Sequence, residues 1–477
     1  MFAVYVTRGQ DSHYWTEQYG TRSMLLSNSV VGSVEDLGAV YYNPGRLSLI
    51  KNKALLLSAK IYQMLGVKYK DITGEGTSSS SSNFGGVPSL LAGTFRIKKL
   101  PDHNFAYSFL VRGSADNRFT SRYDEDIPDS ISDYLDFDGI LSMKKKFKEE
   151  WAGLTWSYPI HPHVGIGLTT FFTTRYESAY TDLELDAYSD SGQVHIYENY
   201  KRYSYSNYGL VWKAGISMEY SRFRFGITVT TPTLSFYGDG TFDYRNVYTG
   251  IEDNPQPEYN IFHQSGIDLK YRSAWSVAGG LSATLFKGTI NISGEYFGKV
   301  KYYTLLASDE FSDIITGEDH QFTLFNELNP VFNVGIGYDF KFNDKISTYL
   351  SYSTNNSAAI SPGDNYDEDV FDLQASTFYA NINNFGYGVV MNFNETNVTL
   401  GVTYAYAKFN MDRPVDFPYD TNTKVISDSE DCSEISWQRW RFIVGISIPF
   451  LKDVAQKMEN NWEQKRKEKR GKKKDDN

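Results

Sequence analysis

The side chains in this sequence best placed to do chemistry are cations. Arg112, Lys213, Arg224 and Arg441 each fall on the small or polar face of a segment whose other face is apolar. A cation held away from water binds a carboxylate through short, charge-assisted hydrogen bonds. Any of the four could therefore fix the anionic head of a ligand. The ordinary alternative for each is pairing with an inward acid such as Glu219, Glu295 or Asp339. Groups that drive catalysis lack the needed arrangement. The seven histidines form no HExxH or paired-ligand spacing, and the closest, His161-Pro-His163, sits in an expected turn. One cysteine, Cys432, cannot make an internal disulfide. No Ser-His or carboxylate pair falls at matching depth along the strands. The sequence reads as a non-enzyme that needs no cofactor and no catalytic metal.

The elements that position these cations are strands of period two. From Trp440 to Phe450 every even position is apolar: Trp440, Phe442, Val444, Ile446, Ile448 and Phe450. The odd positions hold Arg441, Ile443, Gly445, Ser447 and Pro449. One greasy face and one polar or small face place a strand between two media. The pattern recurs in fourteen segments: 54–69, 88–97, 105–122, 144–158, 163–186, one ending at Tyr220, 223–247, 264–283, 289–305, 323–340, 346–353, 376–392, 398–411 and 435–450. Short joints at 98–103, 159–162, 221–222, 284–288, 341–345 and 393–397 alternate with long loops near 70–86, 123–142, 187–197, 248–262, 306–321, 354–374 and 412–434. That alternation matches the two ends of an outer-membrane barrel.

Composition agrees. The chain has 477 residues, is 41% apolar and 16% aromatic, and holds 37 Tyr and 31 Phe. Its mean hydropathy is −0.44. No segment approaches the roughly 20 apolar residues of a transmembrane helix, whereas a barrel needs lipid-facing residues only at alternate positions. A net charge of −11 argues against nucleic acid as a partner.

Four parts are expected along the chain. Residues 1–10 look like the remnant of a signal peptide. Residues 11–52 form an N-terminal hatch, 53–450 a fourteen-stranded antiparallel transmembrane β-barrel, and 451–477 a basic periplasmic tail with ten basic against six acidic residues. The hatch contains Asp36 and then Tyr41-Tyr42-Asn43-Pro44-Gly45, a turn by mechanism because Pro fixes φ and Gly tolerates φ > 0. Two acidic stretches, 364–369 and 428–434, are solvated surface or, alternatively, Ca²⁺ or lipopolysaccharide-bridging sites.

The stretch from Gly20 to Ile50 resembles the hatch of FadL-type outer-membrane transporters of long-chain fatty acids and other hydrophobic compounds. In that family a small-residue segment leads through an Asp to an aromatic-Asn-Pro-Ala-Gly-Leu motif before the first of fourteen strands. Asp36, Tyr42, Asn43, Pro44 and Leu47 match. Gly45 and Arg46 depart, where the family usually has Ala and Gly. The resemblance implies that a hydrophobic ligand is captured among extracellular loops and passed by diffusion through a plugged barrel in the outer membrane of a Gram-negative bacterium. It implies hydrophobic small molecules such as long-chain fatty acids, membrane lipid and lipopolysaccharide as partners, and a monomer. Expected ligand contacts are Tyr14 and Trp15 in the hatch, the four cations, and Ile131, Leu135, Phe137 and Ile140 in an apolar outer loop. The alternative is a barrel of the same fold that acts as a secretion shuttle or surface-protein partner.

Overall fold

Alternation of period two becomes one long antiparallel sheet. The computed structural model of the chain describes residues 12–50 and 60–447, except 75, 88–89, 126–133, 190–191, 193, 250–257, 315–316, 361–371, 377, 394–395 and 414–431. The expected signal remnant, the 364–369 stretch and the basic tail lie outside the described residues. The wall begins with β1 (Lys60–Lys70), β2 (Ser78–Val87 and Leu90–Phe95), β3 (Asn104–Glu125), β4 (Tyr134–His161) and β5 (Val164–Ser189). It continues with β6 (Val194–Tyr220), β7 (Phe223–Thr230 and Leu234–Thr249), β8 (Glu258–Asp268 and Ser276–Leu285), β9 (Gly288–Phe297) and β10 (Val331–Asn343). The last strands are β11 (Ile346–Asn355), β12 (Ile382–Phe393), β13 (Thr396–Asp412) and β14 (Cys432–Ser447).

The main sheet contains seventeen strand segments. Three wall strands are each broken into two, which leaves fourteen. Sequence neighbours pair antiparallel, and β14 returns to pair with β1 from Lys60↔Val444 to Lys70↔Glu434. Each strand turns its small or polar residues inward and its apolar residues outward. On β6, Ser217 is fully buried while Ile216 and Met218 are 49% and 42% exposed. On β14, Arg441 and Ile443 are buried while Phe442 and Val444 are exposed. An outward apolar band around a sheet whose last strand returns to its first is stable where hydrocarbon, not water, is the solvent.

The expected segments correspond to the fourteen strands one for one, but the long-loop ends differ. The segment Ser78–Val87 was expected in a loop and instead pairs with β1 residue by residue. Likewise β4 starts at Tyr134, so most of the expected outer loop at 123–142 is a hairpin of β3 and β4. Above the bilayer an outward face needs no apolar residues, so the signal that defines a strand in the membrane fades there while the hydrogen-bond ladder continues. The expected ninth strand, 289–305, is two elements. The wall strand stops at Phe297, and Val300–Ala307 pairs with Thr323–Leu328 in a separate sheet. Asp372–Gln374, from the β11–β12 connection, joins that sheet parallel to Thr323–Phe325. Pro330, which has no N–H to donate, separates Thr323–Leu328 from β10.

Candidate functional site

The hatch fills the lumen with almost wholly buried side chains, among them Leu25, Leu26, Val30 and Leu47. It contains helices α1 (Thr21–Leu25) and α2 (Ala39–Tyr42), followed by a 3₁₀ turn at Pro44–Ser48. Asn43 is extended and caps that turn: its Oδ1 accepts from the Gly45 N–H at 3.1 Å. Its Nδ2 donates to the carbonyls of Val31 at 3.1 Å and of Ile216, on β6, at 3.0 Å. The Tyr42 hydroxyl accepts from the Tyr19 N–H and donates to Asn28 Oδ1 at 2.7 Å. Asp36 accepts from the Gly38 N–H at 2.9 Å, and it packs where Gly20, at φ +87°, has no Cβ. Asp36, Tyr42, Asn43 and Pro44 thus tie the hatch to itself and to the wall.

The departures from the family pattern have a local reason. A Cβ on Gly45 would come within 2.6 Å of the Gly215 carbonyl oxygen and 2.7 Å of that of Gly165. Backbone meets backbone there, and Ala does not fit. Arg46 is buried, donating from Nε to the Val34 carbonyl at 3.2 Å and from Nη1 to Glu219 Oε2 at 2.7 Å. Glu219 also lies 3.7 Å from Arg224 Nε, and Arg224 Nη1 pairs with Glu35 of the hatch at 2.6 Å. Charges of hatch and wall alternate along this seam.

A cavity lies inside the wall against the hatch. Its lining includes Tyr14 and Tyr41 from the hatch with Arg112, Trp151, Lys213, Glu295 and Phe297 from the wall. Tyr14 stacks on Phe297 with ring centroids 4.1 Å apart. Glu295 accepts from Trp15 Nε1 at 2.7 Å and from Ser276 Oγ at 2.6 Å. Glu149 accepts from Trp151 Nε1 at 2.7 Å and from Arg175 Nη1 at 2.9 Å. The acids of the cavity are thus already engaged by donors. Its other two cations differ. Lys213, 3% exposed, sits 4.5 Å from the Tyr41 ring centroid. The Arg112 guanidinium lies between Tyr41, at 5.9 Å, and Trp151, at 5.7 Å. Neither makes an ion pair or a hydrogen bond among the described residues. Arg112 is the extra residue of a β-bulge, since Val111 faces Glu150 and Gly113 faces Glu149. Bulges redirect side chains, and this one keeps both Arg112 and Gly113 at the lumen.

The structure sorts the expected ligand contacts. Tyr14, Arg112 and Lys213 line one cavity, and Trp15 adjoins it through Glu295. Arg224 belongs instead to the charged seam with Glu35 and Glu219. Arg441 pins the hatch: Nη2 pairs with Glu17 Oε1 at 2.5 Å, and Nη1 donates to the Thr16 carbonyl at 3.1 Å. From Tyr134 onward the expected capture loop is strand. Leu135, Phe137 and Ile140 are in β4, with half-buried Ile140 opposite Arg122 and Glu184, and Ile131 lies outside the described residues. Tyr41, Trp151, Glu149 and Arg175 were not anticipated. Trp151 carried a signal, because it shares inward parity with Gly153 and Thr155.

No family model matches the chain, and no curated protein matches it in sequence. Solved structures do match in shape. A Pseudomonas aeruginosa FadL homologue superposes with a TM-score of 0.53 over 91% of this chain and 99% of its own, at 9% identity. A deltaS2S3 mutant of the monoaromatic hydrocarbon channel TodX gives 0.50 over 90% and 99%, at 12% identity. These likenesses establish the fold: a fourteen-stranded transmembrane barrel with an N-terminal hatch, of the FadL type.

Proposed function

We propose that the chain is an outer-membrane channel of a Gram-negative bacterium that takes up hydrophobic ligands by diffusion through the hatch-plugged barrel. It acts as a monomer and without catalysis. The preferred ligand carries an anionic head, and long-chain fatty acids are the leading class. The observation that carries this reading is the pair Arg112 and Lys213, two lumenal cations that share an aromatic-lined cavity with Glu149 and Glu295 and make no ion pair among the described residues. A charge taken from water without a partner is costly, so the pair is poised for an anion. An apolar tail against Tyr14, Trp151 and Phe297 gains roughly 25 cal/mol per Å² buried. The FadL homologue and the hydrocarbon channel share the fold, and their names fit a hydrophobic cargo.

The test is equilibrium binding of a fluorescent long-chain fatty acid to the folded barrel, competed by a neutral alkylbenzene and by a neutral sugar. Saturable binding that the sugar leaves untouched supports uptake of hydrophobic ligands, and failure of the alkylbenzene to compete narrows the class to acids. Absence of saturable binding to a folded barrel contradicts the reading.

A further inference from the structure

The outward face of the wall changes character along β3, β4 and β5. Toward the short-turn end it is apolar, with Phe109, Leu154 and Phe172 all exposed. A strand crosses the hydrocarbon in about 9–11 residues, which from His161 carries β4 to the level of Glu150. Exposed Tyr176 and Tyr208 stand on the next two strands at this level, as an aromatic girdle does at the interface. From there outward β4 presents Lys148, Lys146 and Lys144, and the residues between them, Phe147 and Lys145, are buried on the lumen side. In the ladder Lys144 stands between Arg118 of β3 and Tyr180 of β5, and Tyr180 stands opposite Arg202 of β6. Acids reach the margins of this patch. Glu150 pairs with Lys148 at 2.8 Å, Asp243 lies 3.9 Å from Arg202, and Asp116 stands opposite Lys146 without forming an ion pair. Asp182 and Glu184 follow further out on β5, past Tyr180. Arg118 and Lys144 make no ion pair or hydrogen bond among the described residues, and Lys146 lies 5.9 Å from the Tyr176 ring centroid. Like charges directly opposite destabilise a sheet, so Arg118 beside Lys144 has a cost that the wall does not offset.

We propose that Arg118, Lys144, Lys146 and Arg202 form a docking surface on the outside of the wall for the phosphorylated headgroup of the outer-leaflet glycolipid, lipopolysaccharide. The inference goes beyond the uptake reading: it rests on the outer-membrane placement of the wall and uses no lumenal side chain. Height and charge select the occupant. The patch begins at the aromatic girdle and continues toward the long-loop end, where lipid headgroups lie against the wall, and its unpaired charges are positive. Size selects among anionic lipids. Adjacent strands are about 4.8 Å apart and residues along a strand about 3.4 Å apart. The row from Arg118 to Arg202 and the column from Lys144 to Lys148 therefore each span about 14 Å. A sugar headgroup with two separated phosphates covers that area, whereas the single phosphate of a glycerophospholipid reaches one pair of cations. A phosphate between Arg118 and Lys144 turns their repulsion into two charge-assisted hydrogen bonds.

The experiment uses the full-length barrel in non-ionic detergent and follows lipid binding by native mass spectrometry. The probes are bisphosphorylated lipid A, the same lipid without its phosphates, and phosphatidylglycerol. Wild type is compared with the triple variant Arg118→Gln, Lys144→Gln, Lys146→Gln. A control triple variant, Lys287→Gln, Lys341→Gln, Lys345→Gln, removes the same charge from exposed positions at the short-turn end. Wild type is expected to bind bisphosphorylated lipid A about tenfold or more tighter than either other lipid. The first variant is expected to lose this preference and the control to keep it. A preference that survives the first variant, or that the control loses equally, overturns the proposal. So does phosphatidylglycerol binding as tightly as bisphosphorylated lipid A. All of these results leave the uptake reading standing, because every lumenal side chain is unchanged.

Discussion

A Cβ placed on Gly215 of β6 would come within 2.4 Å of Asn43 Oδ1, so wall and hatch meet with no room for one carbon atom. The same Asn43 donates to the Ile216 carbonyl next door. Close approach here is what lets a side-chain amide reach the wall backbone. Gly215→Ala should therefore unseat the hatch while sparing the barrel. Overpacking of this kind costs about 1–3 kcal/mol. Limited proteolysis should show faster cleavage within residues 20–50, with the wall still resistant. Equal protection in variant and wild type would show that the wedge does not hold the hatch.

The Arg46–Glu219 pair at 2.7 Å supplies a second fastening, with Arg46 buried and Glu219 about one-third exposed. Arg46→Ala removes the bond to Glu219 and the one to the Val34 carbonyl. Breaking a largely buried charged hydrogen bond costs about 1–3 kcal/mol. Amide exchange over residues 44–48 should rise in the variant. In wild type it should rise more modestly with salt, because the carboxylate is only partly screened from solvent. Exchange unaffected by the substitution would remove Arg46 from the account of how the hatch is held.

Much of this was legible in the sequence, and the limits are physical. Ile216 and Met218 against Gly215 and Ser217 announced a lipid face and a lumen face, because a bilayer imposes the alternation directly. Ser78–Ser82 announced nothing, since above the bilayer both faces of a hairpin are wet. Inward parity placed Arg112 and Lys213 correctly at the lumen. It could not say that Arg112 makes no ion pair among the described residues or that Arg441 pairs with Glu17, because those outcomes depend on a hatch folded back from far along the chain. The Arg112 bulge is likewise invisible to parity alone.

Burial pushes the Asp36 carboxyl up to about 6, against the Gly38 N–H bond and nearby Arg22, which pull the other way. A raised acid stabilises the folded state only while it is protonated, so the Asp36 contribution is lost as pH rises from about 4 through 6. Burial lowers His13 to about 4 despite its bond to the Ala380 carbonyl, so its contribution is lost as pH falls from about 6.5 through 4. The two oppose one another and mask each other in wild type. Asp36→Asn should be the more stable hatch above pH 6, by at most about 3 kcal/mol, with the advantage vanishing near pH 4. Chemical denaturation followed by hatch fluorescence at pH 4, 6 and 8 checks this. An advantage independent of pH would refute the assignment.

The outward face of the wall predicts a depth dependence. Ile227 on β7 is 57% exposed in the expected lipid band, and Ile261, at the long-loop end of β8, is 56% exposed. Equal outward exposure means different surroundings at the two sites, hydrocarbon at one and water at the other. Ile227→Arg should destabilise folding into lipid vesicles by about 2–4 kcal/mol, and Ile261→Arg by about 0–1 kcal/mol. Equal costs would contradict the placement of the bilayer on this wall.

The most direct test of the account is the affinity of the folded barrel for a fatty acid and for the matching fatty alcohol, in wild type and in the double variant Arg112→Gln, Lys213→Gln. The account predicts that wild type prefers the acid at least tenfold and that the double variant loses this preference while still binding the alcohol. A preference for the acid that survives loss of both cations would contradict it.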